Sequence, residues 1–207
     1  MKNAYIATYP PRQCGIGTFT QNLYKSMIAS KQDDSDNRSS FIVAMDDADE
    51  KLTYPEEVKL TIRQELQEDY LAAAKYINVS GADCCILQHE FGIFGGQDGV
   101  YILPLLHELE IPLIVTLHTV MQTPSNNQRE VLQTICRMAN RVVVMSHKAV
   151  EMLVDIYEIP RSKIAYVEHG VPDIHFDQDL VKKEFKLEKR KVMLTFGFVG
   201  RNKGIET

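Results

Sequence analysis

Four short apolar runs in this chain each end at a histidine: Cys85-Ile86-Leu87-Gln88-His89, Ile114-Val115-Thr116-Leu117-His118, Val142-Val143-Val144-Met145-Ser146-His147 and Ile164-Ala165-Tyr166-Val167-Glu168-His169. An imidazole at such a place can donate to a ligand hydroxyl or to a developing negative charge. His118 is the sharpest candidate, because it follows Leu117 directly and precedes the polar Thr119. His89 with Glu90 comes next, since the glycine-rich stretch beside it suggests a shaped pocket. His169-Gly170 occupies a similar position, where a turn or hinge role competes on equal terms. His147 reads as a solvated first-turn residue of a helix, and His107 and His175 read as helix surface and loop.

The second candidate is the stretch Gly15-Ile16-Gly17, between an apolar run and an amphipathic one. Free backbone N–H groups and the dipole of a helix start suit an anion there, and Arg12 adds a charge. The pattern is not a dinucleotide fingerprint. Thr20 stands where the third glycine belongs, and five residues separate Tyr9 from Gly15. That disfavours a nicotinamide-dependent oxidoreductase. Glu90, Asp98, Glu168 and Asp173 fall in the right loops, with Asp98 also placed to cap the following helix. The acidic run Asp46-Asp47-Ala48-Asp49-Glu50 reads as a solvated loop. Lys203 and Arg201 follow a last apolar run and are placed to clamp a diphosphate. No metal site is expected, because the histidines come from separate runs without partner spacing. No nucleophile elbow or Walker loop is present, and no cysteine has a histidine partner.

These residues need a frame to bring them together. Runs of four to six apolar, β-branched-rich residues read as strands buried on both faces, and such strands are usually parallel. The expected strands are Ala4–Tyr9, Phe41–Met45, Val58–Ile62, Cys84–Gln88, Leu113–Leu117, Val142–Met145 and Ile164–Val167. Helical spacing lies between them. Thr18-x-x-Gln21 and Ser125-x-x-Gln128 read as capping boxes, and Ser146 as an N-cap. Leu66, Tyr70, Ala73 and Ile77 share one face of a helix that stops near Ser80-Gly81. A helix over about Val100–Leu109 must take Pro104 in its first turn or kink. His89–Gly99 carries four glycines, which implies unusual backbone angles or close approach to something. The alternation argues an α/β fold, a doubly wound Rossmann-like parallel sheet in which ligands sit beyond the carboxyl ends of the strands.

At 207 residues the chain exceeds one ordinary domain, which typically holds roughly 100–200 residues. Residues 1–176 are expected to form the Rossmann-like domain, 177–191 a charged linker, and 192–207 the first strand and turn of a second α/β domain. A net charge of −5 argues against a nucleic-acid binder with a wholly basic surface. There are four cysteines and no Cys-x-x-Cys spacing; adjacent Cys84-Cys85 in a strand read as small core residues rather than a disulfide framework, which fits a reducing cytoplasm. The N-terminus lacks the apolar core of a signal peptide, and no segment approaches a membrane span. Membrane contact, if any, would be peripheral.

Together these pieces resemble a glycosyltransferase of family 4, with the two-domain GT-B fold. The matching stretches are 9–19 (YPPRQCGIGTF), 87–96 (LQHEFGIFGG), 115–119 (VTLHT), 169–171 (HGV) and 195–204 (TFGFVGRNKG). The resemblance implies transfer of a sugar from a nucleotide-sugar to a glycan or lipid-linked acceptor, with retention at the anomeric carbon, no metal and no cofactor. GDP-mannose and UDP-sugars both fit as donors. It implies that Gly17 offers backbone N–H to the donor diphosphate, that His118 contacts the donor sugar near the reacting centre, and that Lys203 neutralises the leaving diphosphate. It also implies that Gly15, Arg12, His89, Glu90, His169 and Arg201 belong to the substrate-binding surface. Two departures stand out. Phe198 follows Gly197 where the family has an arginine, so that Arg201 is offset, and the family's paired glutamates would lie beyond position 207 in a missing C-terminal domain. The chain alone is therefore expected to show no transfer. The rival reading is a non-catalytic sugar- or nucleotide-binding α/β module using the same crevice.

Overall fold

The computed structural model describes residues 1–30, 39–47, 52–171 and 175–195. Seven strands, β1 (Asn3–Ala7), β2 (Phe41–Asp46), β3 (Val58–Arg63), β4 (Cys84–His89), β5 (Leu113–Leu117), β6 (Arg141–Val144) and β7 (Ile164–Tyr166), form one sheet in the order β3-β2-β1-β4-β5-β6-β7. Every neighbouring pair is parallel. All seven lie where the apolar runs place them, with ends moved by a residue or two. The linking helices are α1 (Gly15–Ala29), α2 (Gln67–Val79), α3 (Ile102–Glu108), α4 (Asn126–Met138) and α5 (His147–Asp155).

Side chains alternate across a strand, so each strand serves two cores. Tyr5, Ile42 and Ala44 point to one face and pack with Tyr9 and Tyr24, the latter from α1. Ile6, Val43, Leu87 and Val115 point to the other, into a larger core with Tyr70, Ile77, Leu105, Leu132, Ile135 and Leu153 of α2 to α5. Both faces are thus covered by helices, as the uninterrupted apolar runs require. The chain leaves β1 toward β2 and β3, then returns through α2 to place β4 on the other side of β1. Strand order reverses at the β1/β4 boundary, and crevices open at such a point, beyond the carboxyl ends of the strands.

Helix boundaries follow from local chemistry. Ser125 Oγ accepts from Gln128 N at 3.1 Å, and Gln128 Oε1 accepts from Ser125 N at 2.9 Å, so the α4 capping box forms as expected. Ser146 Oγ accepts from Ala149 N and starts α5. Pro104 falls in the first turn of α3, where its missing N–H costs nothing. The expected box at Thr18-x-x-Gln21 does not form. α1 starts four residues earlier, because Cys14 adopts the extended N-cap conformation and its carbonyl accepts from Thr18 N at 3.1 Å. Thr18 Oγ1 turns back onto that same carbonyl. Gly15 and Gly17 therefore lie inside the first turn of α1.

The chain divides into two compact units, Met1–Gly170 and Val171–Thr207. Within the second, α6 (Gln178–Glu184) lies in the charged stretch expected as a linker, with Asp177 capping it. Residues 192–195 of the expected new strand have no regular structure, and the rest of that segment, including Arg201 and Lys203, lies outside the described residues. Among the described residues no helix is long and apolar enough to cross a membrane.

Candidate functional site

The carboxyl ends of β4 and β5 hold one another. His118 N donates to His89 O at 3.0 Å, extending the ladder by one residue. The His118 ring nitrogen Nε2 lies 2.9 Å from Gln88 Oε1. Thr119 Oγ1 donates to Glu90 Oε2 at 2.5 Å, and Glu90 Oε1 accepts from Phe91 N at 3.0 Å. Three successive residues, Gln88, His89 and Glu90, thus fix His118 and Thr119. Phe19 of α1 meets the His118 ring edge-on, with centroids 4.8 Å apart, and meets His169 in the same manner at 5.2 Å. Burial, with a smaller contribution from nearby His169, pushes the His118 imidazole down to about 4, so the ring is neutral at physiological pH.

His118, Thr119, Met145, Ser146, Met152 and His169 line a cavity of about 420 Å³ at the ends of β5 and β6. His169 is exposed, and its Nδ1 lies 2.7 Å from Gly170 O. His147 is exposed as expected, yet it stacks on Tyr166 with centroids 4.0 Å apart. His107 is exposed on α3.

His89 behaves differently from His118. It is wholly buried, stacked on Phe94 and edge-on to Phe91, and neither ring nitrogen has a hydrogen-bond partner among the described residues. Burial, reinforced by His118, pushes it down to about 3. The alternation of β4 explains this. His89 points with Leu87 into the larger core, whereas Gln88 points to the opposite face. His89 therefore presents no surface to a ligand, and its partner residue Glu90 acts as a strut for the β5 loop.

On the other side of α1's start, Pro11, Arg12, Gln13, Cys14, Asp47, Gly92 and Ile93 line a cavity of about 670 Å³. Arg12 donates to Met45 O at 3.1 Å and to Gln64 Oε1 at 3.3 Å, and pairs with Asp47 at 2.8 Å. The guanidinium ties the ends of β2 and β3 to the β1 loop, and its charge is already matched. The acidic run is therefore not simply solvated: Asp47 holds Arg12, and Asp46 accepts from Tyr54 OH. Residues 48–51 lie outside the described residues. Cys14 gives α1 no side-chain cap, which leaves the first-turn N–H groups of Gly15, Ile16 and Gly17 without a side-chain acceptor, with Gly15 exposed and Gly17 buried. A Cβ at Gly17 would lie 3.4 Å from Tyr9 N, so this turn packs closely on the backbone that follows β1.

The glycines of the 89–99 loop mostly serve the loop itself. A Cβ on Gly95 would lie 1.9 Å from Gln64 O, and Gly95 N donates to Tyr70 OH, which in turn donates to Gln64 O. Gly96 and Gly99 have φ of +73° and +79°. The close approach expected of these glycines is thus to the protein's own chain. Asp98 does not cap α3 either. At φ +55° its carboxylate accepts from Asn127 and Gln128 and ties the loop to α4. Gln88, Phe19, Thr119 and Asp47 are the residues that sequence reasoning missed. Gln88 carried a signal as an amide inside an otherwise apolar strand, and Thr119 as the polar residue directly after His118.

A doubly wound parallel sheet with polar side chains gathered beyond its strand ends defines a Rossmann-like α/β protein, a class whose ligands sit at that edge. The family model described as Glycosyltransferase Family 4 matches residues 66–173, more than half of the chain, and the chain belongs to that family. The fold is similar to that of a glycosyltransferase from Rickettsia africae ESF-5, with a TM-score of 0.60 and 14% sequence identity. That match takes in 90% of this chain and 50% of the other, so this chain spans about half the length of the protein it matches. A search of curated proteins gives no match.

Proposed function

We propose that this chain is the acceptor-side part of a retaining, metal- and cofactor-independent glycosyltransferase that moves a hexose from a nucleotide-sugar to a glycan or lipid-linked acceptor in the cytoplasm. The observation that carries the reading is His118: a neutral, pinned imidazole on the wall of a cavity at the strand ends. In the transfer, the bond from the anomeric carbon to the diphosphate oxygen breaks and a bond to the acceptor oxygen forms. The acceptor's proton leaves with the diphosphate. His118 orients the donor sugar, and the uncapped start of α1 at Gly15 and Gly17 offers N–H groups to the diphosphate. The larger cavity beside Arg12 and Gly92 receives the acceptor. Lys203 and Arg201 are assigned to the diphosphate on the sequence alone.

A donor screen tests this on the protein carrying a second α/β domain, repeated with His118→Ala. Transfer from one nucleotide-sugar is expected, with about a 100-fold loss or more in the variant, the scale of one positioned polar catalytic group. Unchanged turnover would remove His118 from the reaction. Binding of a nucleotide-sugar without any transfer would favour the non-catalytic module.

A further inference from the structure

The two ends of the Gln88 amide are in different situations. Gln88 is fully buried, its oxygen lies 2.9 Å from His118 Nε2, and its nitrogen has no partner among the described residues. Burying an unpaired amide nitrogen is unfavourable, so an apolar side chain would serve this strand better if packing were the only demand. The one bond the amide makes is the reason for its presence. Register supports the same view: Gln88 is level with Thr116, and Thr116 and His118 share its face of the sheet.

We propose that Gln88 is a positioning residue for His118: its carbonyl oxygen holds the imidazole as the Nε2–H tautomer and thereby makes Nδ1 a hydrogen-bond acceptor for a ligand hydroxyl. An amide oxygen can only accept, so the shared proton belongs to the ring, and a neutral imidazole carries one N–H. Nδ1 has no hydrogen-bond partner among the described residues, and the ring borders the cavity of about 420 Å³. The Phe19 edge contact braces one side of the ring, and the His118 N to His89 O bond fixes the backbone that carries it. His118 then selects a group that donates, such as a sugar hydroxyl, and disfavours a carboxylate or phosphate at that position. This rests on the reading of His118 as donor-facing. It reverses the expectation that the imidazole donates.

The test is long-range proton–nitrogen NMR on the ¹⁵N-histidine-labelled chain without ligand, with His118→Ala to assign the signals. The expected result is a proton on Nε2, protected from solvent exchange, and an unprotonated Nδ1. In Gln88→Met, which keeps the length but loses the oxygen, that protected signal should be lost to exchange. In Gln88→Glu, which restores an acceptor, it should return. A proton on Nδ1 in the unsubstituted chain overturns the proposal even if Gln88→Met fails to fold, and so does a protected Nε2–H that persists in Gln88→Met. The measurement needs no transfer. A protected Nε2–H in the chain, together with no transfer by the protein carrying a second α/β domain, would sink the functional reading and leave the positioning role standing.

Discussion

Glu90 and Gly95 look like ligand-facing residues by type and place, and both are held by the protein itself. Glu90 accepts from Phe91 N and Thr119 Oγ1, so Glu90→Ala leaves two partly buried donors unpaired. About 1–3 kcal/mol of stability should be lost per unsatisfied group. Urea denaturation would read that loss, and a midpoint unchanged from the parent would show that the strut carries no load. A methyl group on Gly95 would overlap Gln64 O at 1.9 Å, which no rotamer change relieves because Gln64 O is backbone and the backbone fixes the Cβ position. Gly95→Ala is expected to cost about 3 kcal/mol or more, at the upper end for overpacking. Gly15→Ala, by contrast, meets nothing within 4 Å and should leave stability nearly unchanged. Thermal denaturation of the two variants side by side separates a glycine required by packing from one that packing leaves free.

Among the elements, α4 has the most complete start, and it also anchors the glycine loop through Asn127 and Gln128 on Asp98. Ser125→Ala removes one half of the capping box and should cost about 1 kcal/mol. For a chain of this size that lowers the melting temperature by roughly 2–4 °C. A shift well below that range would mean that the Asp98 ties hold the helix start without the cap. The strand-end loops of β4 and β5 act as one piece for the reason given by their hydrogen bonds: residues 88–90 each grip residue 118 or 119.

Buried His89 and half-buried His118 make the whole fold sensitive to acid. Their folded values, about 3 for His89 and about 4 for His118, lie below the ordinary 6.5, so the unfolded chain binds more protons below that pH. Stability is then full above about pH 6.5 and falls as pH drops. The slope is about 1.4 kcal/mol per pH unit for each histidine. Between roughly pH 6 and pH 4 both contribute; below that, His89 alone continues toward 3. Urea midpoints at pH 7.5 and pH 5 should differ accordingly, and His89→Leu, which removes the buried imidazole, should shorten the difference by about half. An equal pH dependence in that variant would contradict the assignment.

The seven strands, their parallel pairing and the crevice at their carboxyl ends could be read from the chain, because uninterrupted β-branched runs have few ways to be buried. Cap residues such as Ser125 and Ser146 were legible for a similar reason, since their hydrogen bonds reach only three residues along the chain. The differing fates of the histidines were not legible. His89 and His118 each close an apolar run, yet one points into the α2–α5 core and the other meets Gln88 from a strand 30 residues away. A shift of one position along a strand reverses the face a side chain takes, and the register between strands is set by packing across the sheet. The same holds for Arg12, whose partners Gln64 and Asp47 come from other strand ends. Sequence established that polar residues gather at one edge of this sheet; the three-dimensional packing assigned which of them face a ligand and which hold the others in place.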